Sequence, residues 1–180
     1  LMNWVMQGPP VSAYGSGGRF TRPDDSEMWD SMSIDYMYSD ERPVSFMCRQ
    51  IPGSTAENGS TVRGTKGFAV IGAGSSGSTF LDRNGKETLK LEGSIADAYR
   101  QEHKDLIDSI RSGEPIVELL ETAKSSLTAV MGRMAAYTGK KVTWDFVANE
   151  SELDLFPKDL QWDGSRPEPS YAIPGKTKLI

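Results

Sequence analysis

One cysteine and one histidine are present among 180 residues. A lone thiol, Cys48, cannot close an internal disulfide, and Cys48 with His103 cannot supply an ordinary zinc cluster, so no metal site is expected. Cysteine usage therefore carries no signal about redox compartment. Net positive charge is missing too. The formal charge is −5, with acidic and basic residues interspersed, whereas nucleic-acid phosphates demand a basic stripe; no nucleic-acid partner is expected. No apolar run approaches the roughly 18–20 residues that span a bilayer, and no membrane partner is expected. The opening Leu1-Met2-Asn3-Trp4 lacks the basic start and apolar core of a signal peptide. Internal repeats and low-complexity segments are absent as well.

What remains is the composition of an ordinary globular chain. A chain of this length buries about 70% of its unfolded surface, enough for one core without staples. The expectation is an α+β domain over residues 1–150 and an extended tail, rich in proline and polar residues, packed on it over 151–180. Residues 1–8 read as the end of a helix cut from something longer. Leu1, Trp4 and Val5 share a face, Gly8 suits the C′ position, and Pro9-Pro10 forbid continuation.

From Val11 to Leu91 the pattern is that of strands. Met28, Met32, Ile34, Tyr36 and Tyr38 fall on one face of a period-two run, and Val44, Phe46 and Cys48 on one face of the next, with a turn at Ser39–Arg42. Cys48 is expected to be a small buried hydrophobe. Trp29 and Met37 are placed on the opposite, exposed side. Asn84-Gly85 between two short runs is a strong hairpin signal, because both residues tolerate positive φ. Helices are predicted over about Ile95–Arg111, with Tyr99, His103, Leu106, Ile107 and Ile110 as the apolar stripe, and over about Leu119–Tyr137, with Ala123, Leu127, Val130, Met131 and Met134. Thr143 is placed as the cap of a short last helix. Strands first and helices later, without alternation, predict an antiparallel open-faced sheet with helices packed on one face.

One motif points elsewhere. Phe68-Ala69-Val70-Ile71 runs into Gly72-x-Gly74-x-x-Gly77, with Asp97 about 20 residues further on, as in a dinucleotide-binding turn. That chemistry needs a helix starting at the glycines to hold the pyrophosphate. The stretch from Gly77 to the Asn84-Gly85 turn is too short for one, and the segment is assigned as a glycine-rich turn between antiparallel strands.

Several segments, in order, resemble the C-terminal half of the Gfo/Idh/MocA oxidoreductases, the glucose-fructose oxidoreductase and inositol dehydrogenase family. They are Trp4 to Pro10, Gly17-Gly18-Arg19, Cys48-Arg49-Gln50-Ile51, Gly64 to Gly67, Ala98 to Gly113, Thr128 to Lys140, Leu155 to Lys158 and Tyr171 to Gly175. The likeness covers nearly the whole chain. It implies the substrate-binding and oligomerisation half of an NAD- or NADP-dependent oxidoreductase acting on a sugar, cyclitol or related polyol. It also implies that the Rossmann half, the catalytic lysine, and the Asp and His of the helix ending at Trp4 to Gly8 all lie before Leu1. No catalytic, cofactor-binding or metal-binding residue is then carried by this chain, which alone would be inactive and bind no cofactor. The parent would work in the cytoplasm or, exported, in the periplasm. The alternative is a stand-alone sugar-binding or dimerisation module with no redox activity.

Two residues stand out as substrate-binding candidates. Arg49 can hold sugar hydroxyls or a carboxylate through its planar fork, or stand as an exposed strand charge. His103 can contact substrate, or sit partly buried and hydrogen-bonded to a neighbour. Arg63 and Lys66 form a phosphate grip only if Gly64 to Gly67 makes an amide nest. Asp24, Asp25 and Glu27 follow Arg22-Pro23 in a turn and are assigned as solvated carboxylates. A small sugar-like ligand and a homo-oligomer formed through the open sheet face are the expected partners.

Overall fold

A computed structural model describes residues 1–23, 26–72, 77–156, 161–164 and 170–180. Among them the chain order is helix α1 (Met2–Met6), strands β1 (Ser12–Gly18), β2 (Ser31–Met37), β3 (Pro43–Arg49), β4 (Gly59–Arg63), β5 (Gly67–Gly72), β6 (Ser78–Asp82) and β7 (Glu87–Leu91), helices α2 (Ile95–Ser112) and α3 (Leu119–Thr138), and strand β8 (Val142–Thr143). A 3₁₀ turn, Ser39–Glu41, joins β2 to β3, and a π-helical turn, Phe146–Glu150, follows β8. The chain divides into two compact units, Leu1–Ser54 with Glu118–Ile180, and Thr55–Val117. The α+β class and the antiparallel pairing are as expected from the sequence, and the strands are shared between two four-stranded sheets where a single layer was pictured.

In the first unit the sheet order is β3-β2-β1-β8. Register pairs Gly15 with Ile34 and Ala13 with Tyr36, and Ile34 in turn with Phe46. Because side chains alternate, these residues share the face that α3 covers. The core is Ala13, Ile34, Tyr36, Tyr38, Met131, Met134, Ala135, Ala136 and Val142, with Trp29 at its margin. Small residues on both sides let helix and sheet approach closely. A Cβ at Gly132 would collide with the Tyr36 hydroxyl, and one at Gly15 with the Ile34 side chain. A mid-helix glycine costs about 1 kcal/mol of propensity, which the closer packing offsets.

A polar network ties α1 to this core. Tyr38 donates its hydroxyl to Asn3 Oδ1 at 2.7 Å, Asn3 Nδ2 donates to Thr128 Oγ1 at 2.9 Å, and Tyr36 donates to the Thr128 carbonyl at 3.2 Å. Burial pushes the Tyr36 hydroxyl up to about 12, helped by Tyr38 and Cys48, and burial also raises Tyr38. From the tail, Leu153, Ala172 and Leu179 pack on the core, and Gly175 donates its amide to the Thr138 carbonyl at 2.9 Å.

Five expectations need correction here. Trp29 is buried, not exposed, and packs its ring 4.5 Å from that of Tyr137. Cys48 is exposed, because β3 is an edge strand and α3 lies over β1, β2 and β8. On α3 the buried face runs through Met131, Met134, Ala135 and Thr138, while Ala123 and Val130 are exposed. At the end of α1 it is Gln7, not Gly8, that takes the left-handed conformation, and Trp4 faces solvent while Met2 and Met6 pack inward. Met28 is exposed, although Ile34, Tyr36 and Tyr38 are buried together as the alternation required.

The second unit is a meander, β4-β5-β6-β7. Gly64 donates to the Gly67 carbonyl at 2.8 Å to close its first hairpin, and Gly72 donates to the Gly77 carbonyl at 3.1 Å to close the next. The turn after Asp82 uses one positive φ, at Gly85, and not two; Asp82 Oδ1 accepts from the amides of Asn84 and Lys86. That is a longer loop with a left-handed glycine, since Asn84 keeps an ordinary φ. Helix α2 begins with a capping box, Ser94 and Asp97 each accepting from the other's amide, and stops at Gly113 with φ 74°. Its predicted stripe forms but stays exposed, and no residue of α2 is buried.

Candidate functional site

The densest polar construction in the first unit lies where β1 ends, β2 begins and β3 ends. Ser31 is flanked by Gly18 on one side and Arg49 on the other. One step beyond, Asp30 donates its amide to the Gly18 carbonyl at 3.2 Å, and its own carbonyl accepts from the Gln50 amide at 2.8 Å. The Asp30 side chain turns to the connection leaving β1. It accepts from the amides of Phe20 at 2.9 Å, Thr21 at 2.6 Å and Arg22 at 3.2 Å, and from the Thr21 hydroxyl at 2.9 Å. The residue is 3% exposed. Burial alone would raise its carboxyl, but the hydrogen bonds from Thr21, Phe20 and Arg22 outweigh it and hold the group down at about 2. Asp30 is therefore an anion at any ordinary pH, held by donors of the chain itself.

The same connection is braced from outside. Arg19 donates to the carbonyls of Pro23 at 3.1 Å and Ser26 at 2.6 Å, and its guanidinium lies 4.2 Å from the Tyr171 ring centre. Arg49 ends β3 beside this fixed backbone, opposite Ser31. A planar guanidinium suits hydroxyl-rich or carboxylate ligands.

Arg49 ends β3 on the face away from α3, the face it shares with Tyr14, Asp35, Met37 and Met47. Ser45 donates to Asp35 there at 2.6 Å, and Tyr14 and Met47 are more than half exposed. His103 belongs to the second unit, on α2, where its Nδ1 donates to the Tyr99 carbonyl at 2.7 Å. It is exposed, not partly buried, and shares a shallow groove with Tyr99, Arg100, Lys104, Ile107 and Arg111. Arg100 pairs with Asp97, and Lys104 with Asp108 at 2.6 Å, which raises the lysine.

Other sequence candidates resolve plainly. The amide of Gly64 closes a hairpin and is not free for an anion, and Arg63 stacks its guanidinium over the Phe68 ring. Asp24 and Asp25 lie outside the described residues, as do Ala73 to Ser76. Strand β6 begins at Ser78 and pairs antiparallel with β5. No helix follows Gly77, so the strand–glycine–helix arrangement that holds a pyrophosphate is not formed there. Among the described residues no cluster of three or more His, Cys, Asp or Glu is placed to hold a metal ion, and no helix is long and apolar enough to cross a membrane. Sequence reasoning missed Asp30; its only sequence signal was a carboxylate immediately before an alternating strand.

No family model and no curated protein matches the chain. Solved structures do. A protein assigned as an oxidoreductase from Klebsiella pneumoniae matches 76% of this chain and 44% of its own at TM-score 0.54 and 16% identity. Another from Thermotoga maritima matches 79% and 43% at TM-score 0.55 and 17% identity. The aldose-aldose oxidoreductase from Caulobacter crescentus, solved with glycerol, matches 79% and 43% at TM-score 0.63 and 18% identity. The chain shares its fold with these oxidoreductases. It spans less than half the length of each. At the level of fold, the resemblance to a Gfo/Idh/MocA C-terminal domain read from the sequence is borne out.

Proposed function

We propose that residues 1–150, with the 151–180 segment packed on them, form the substrate-binding and oligomerisation half of an NAD- or NADP-dependent oxidoreductase acting on a sugar, cyclitol or related polyol. The whole enzyme would move a hydride between the nicotinamide and a carbinol carbon, while a base outside this chain takes the hydroxyl proton. The observation that carries this reading is the agreement in fold, over most of this chain and less than half of the neighbour, with an aldose-aldose oxidoreductase. Arg49 at the end of β3 supports it, because a guanidinium can orient hydroxyls without supplying a proton acceptor. In the second unit His103 is the residue offered to substrate. The face carrying Tyr14, Met37 and Met47 is the proposed meeting surface between copies, since apolar side chains there stand open to solvent.

The test is to express the complete gene product and the 180-residue chain side by side and to follow nicotinamide reduction with aldoses and cyclitols. Activity is expected in the complete product only, with Arg49→Ala raising KM more than it lowers kcat, as loss of a ground-state contact does. A complete product without nicotinamide-dependent oxidation of any of these polyols would sink the reading.

A further inference from the structure

We propose that Asp30 is the positioning residue for Arg49, a clamp whose carboxylate fixes the rim of a sugar-binding site at the end of the first sheet. The inference rests on the reading of Arg49 as a ligand contact. Three chain segments meet at this residue. Its amide and carbonyl join the end of β1 to the peptide that follows Arg49, through Gly18 and Gln50. Its side chain draws three successive amides, Phe20, Thr21 and Arg22, and the Thr21 hydroxyl onto one carboxylate. Ordinary turn formation needs only one such bond.

Four donors converging on a single anion over-determine the connection, and Asp30 occupies the ladder position next to the Ser31–Arg49 pair. Backbone held this way loses little further entropy when a ligand binds, so the clamp acts on affinity through Arg49 without touching ligand. The carboxylate is already enclosed by the amides of its own chain, which excludes it as a proton acceptor for substrate. The arrangement also explains why a charged group is used at a 3% exposed position: an asparagine would point an N–H at the same donors.

The experiment titrates the 180-residue chain with D-glucose and with glycerol, by calorimetry, alongside amide exchange by NMR. Asp30→Ala is expected to speed exchange at Phe20, Thr21, Arg22 and Gln50 and to weaken glucose binding about tenfold, because a looser rim must be ordered when the ligand binds. Millimolar formate, which restores a carboxylate to the vacated amides, is expected to recover both in Asp30→Ala and neither in Arg49→Ala. Where Asp30→Ala does not fold, Asp30→Asn is read by amide exchange and glucose binding alone, without the formate arm. If Arg49→Ala abolishes glucose binding while the folded Asp30 variants bind as the parent does, the clamp is refuted and the Arg49 reading stands. If Arg49→Ala binds normally, Arg49 is no contact and both readings fall; if the parent chain binds neither glucose nor glycerol, it has no sugar-binding rim for a clamp to fix and the clamp alone is refuted.

Discussion

The two units are built from the same material and differ in what their helices cover. In the first, α3 lies over β1, β2 and β8, and a continuous set of side chains is removed from water. In the second, α2 is longer than four turns, well capped and plainly amphipathic, yet buries nothing, and Ala69 is the only buried hydrophobic residue among the described residues of its unit. The difference teaches that amphipathic periodicity guarantees an apolar face and says nothing about what covers it. Helix α3 has the weaker amphipathic contrast of the two, but its Gly132, Ala135 and Ala136 let it come close to Ala13 and Gly15. Close approach, not contrast, makes the core. The second unit is held by its hairpin ladders, the Ser94–Asp97 capping box and exposed ion pairs, each a small term in water.

The comparison is broken most severely by Ile34→Ala. Ile34 is 2% exposed beneath α3, and its truncation is expected to cost about 2–5 kcal/mol in urea unfolding. Amide protection should fall across β1 and β2 and stay unchanged in β5 and β6. Equal loss in both sheets would mean that the units do not unfold separately. Next, Gly132→Ala should destabilise the first unit by about 1–3 kcal/mol despite its better helix propensity, because the new methyl meets the Tyr36 ring. A gain of stability would show that α3 can lift without penalty.

An acid titration sharpens the contrast in another way. In the folded chain the Asp30 carboxyl is held at about 2, below its ordinary value of 3.8. Its stabilisation is therefore complete above about pH 4 and lost as pH falls through 2, because the unfolded chain takes up the proton first. The first unit should lose stability over that window in the parent and lack this step in Asp30→Asn, as read by near-ultraviolet circular dichroism of Trp29 and Tyr137. The smallest effect is expected of Ile110→Ser on α2. With Ile110 71% exposed, the change should move stability by less than about 0.5 kcal/mol. A larger loss, measured by the same urea unfolding, would reveal that the stripe is covered in solution.

Strands and hairpins were legible wherever one face of an element is buried. Alternation picked out Ile34, Tyr36 and Tyr38, and the short spacing from Gly77 to Asn84-Gly85 excluded a nucleotide-binding helix. The Ser94-x-x-Asp97 capping box was written in the sequence and overlooked. Cys48 and Trp29 were misplaced for a shared reason. Alternation assigns a side of the sheet, but burial depends on how far the covering helix reaches and where the chain leaves the strand. Cys48 is on the helix side of β3 yet beyond α3, and Trp29 precedes β2 and folds onto Tyr137.

The sequence by itself determined the α+β class, the antiparallel order of strands and the amphipathic helices, because each follows from periodicity and turn chemistry within a few residues. Only the tertiary structure decided that the strands part into two sheets, that α3 and not α2 encloses a core, and that Asp30 gathers the amides of Phe20, Thr21 and Arg22. Those outcomes join residues distant along the chain, and their free energy comes from contacts that no local pattern records.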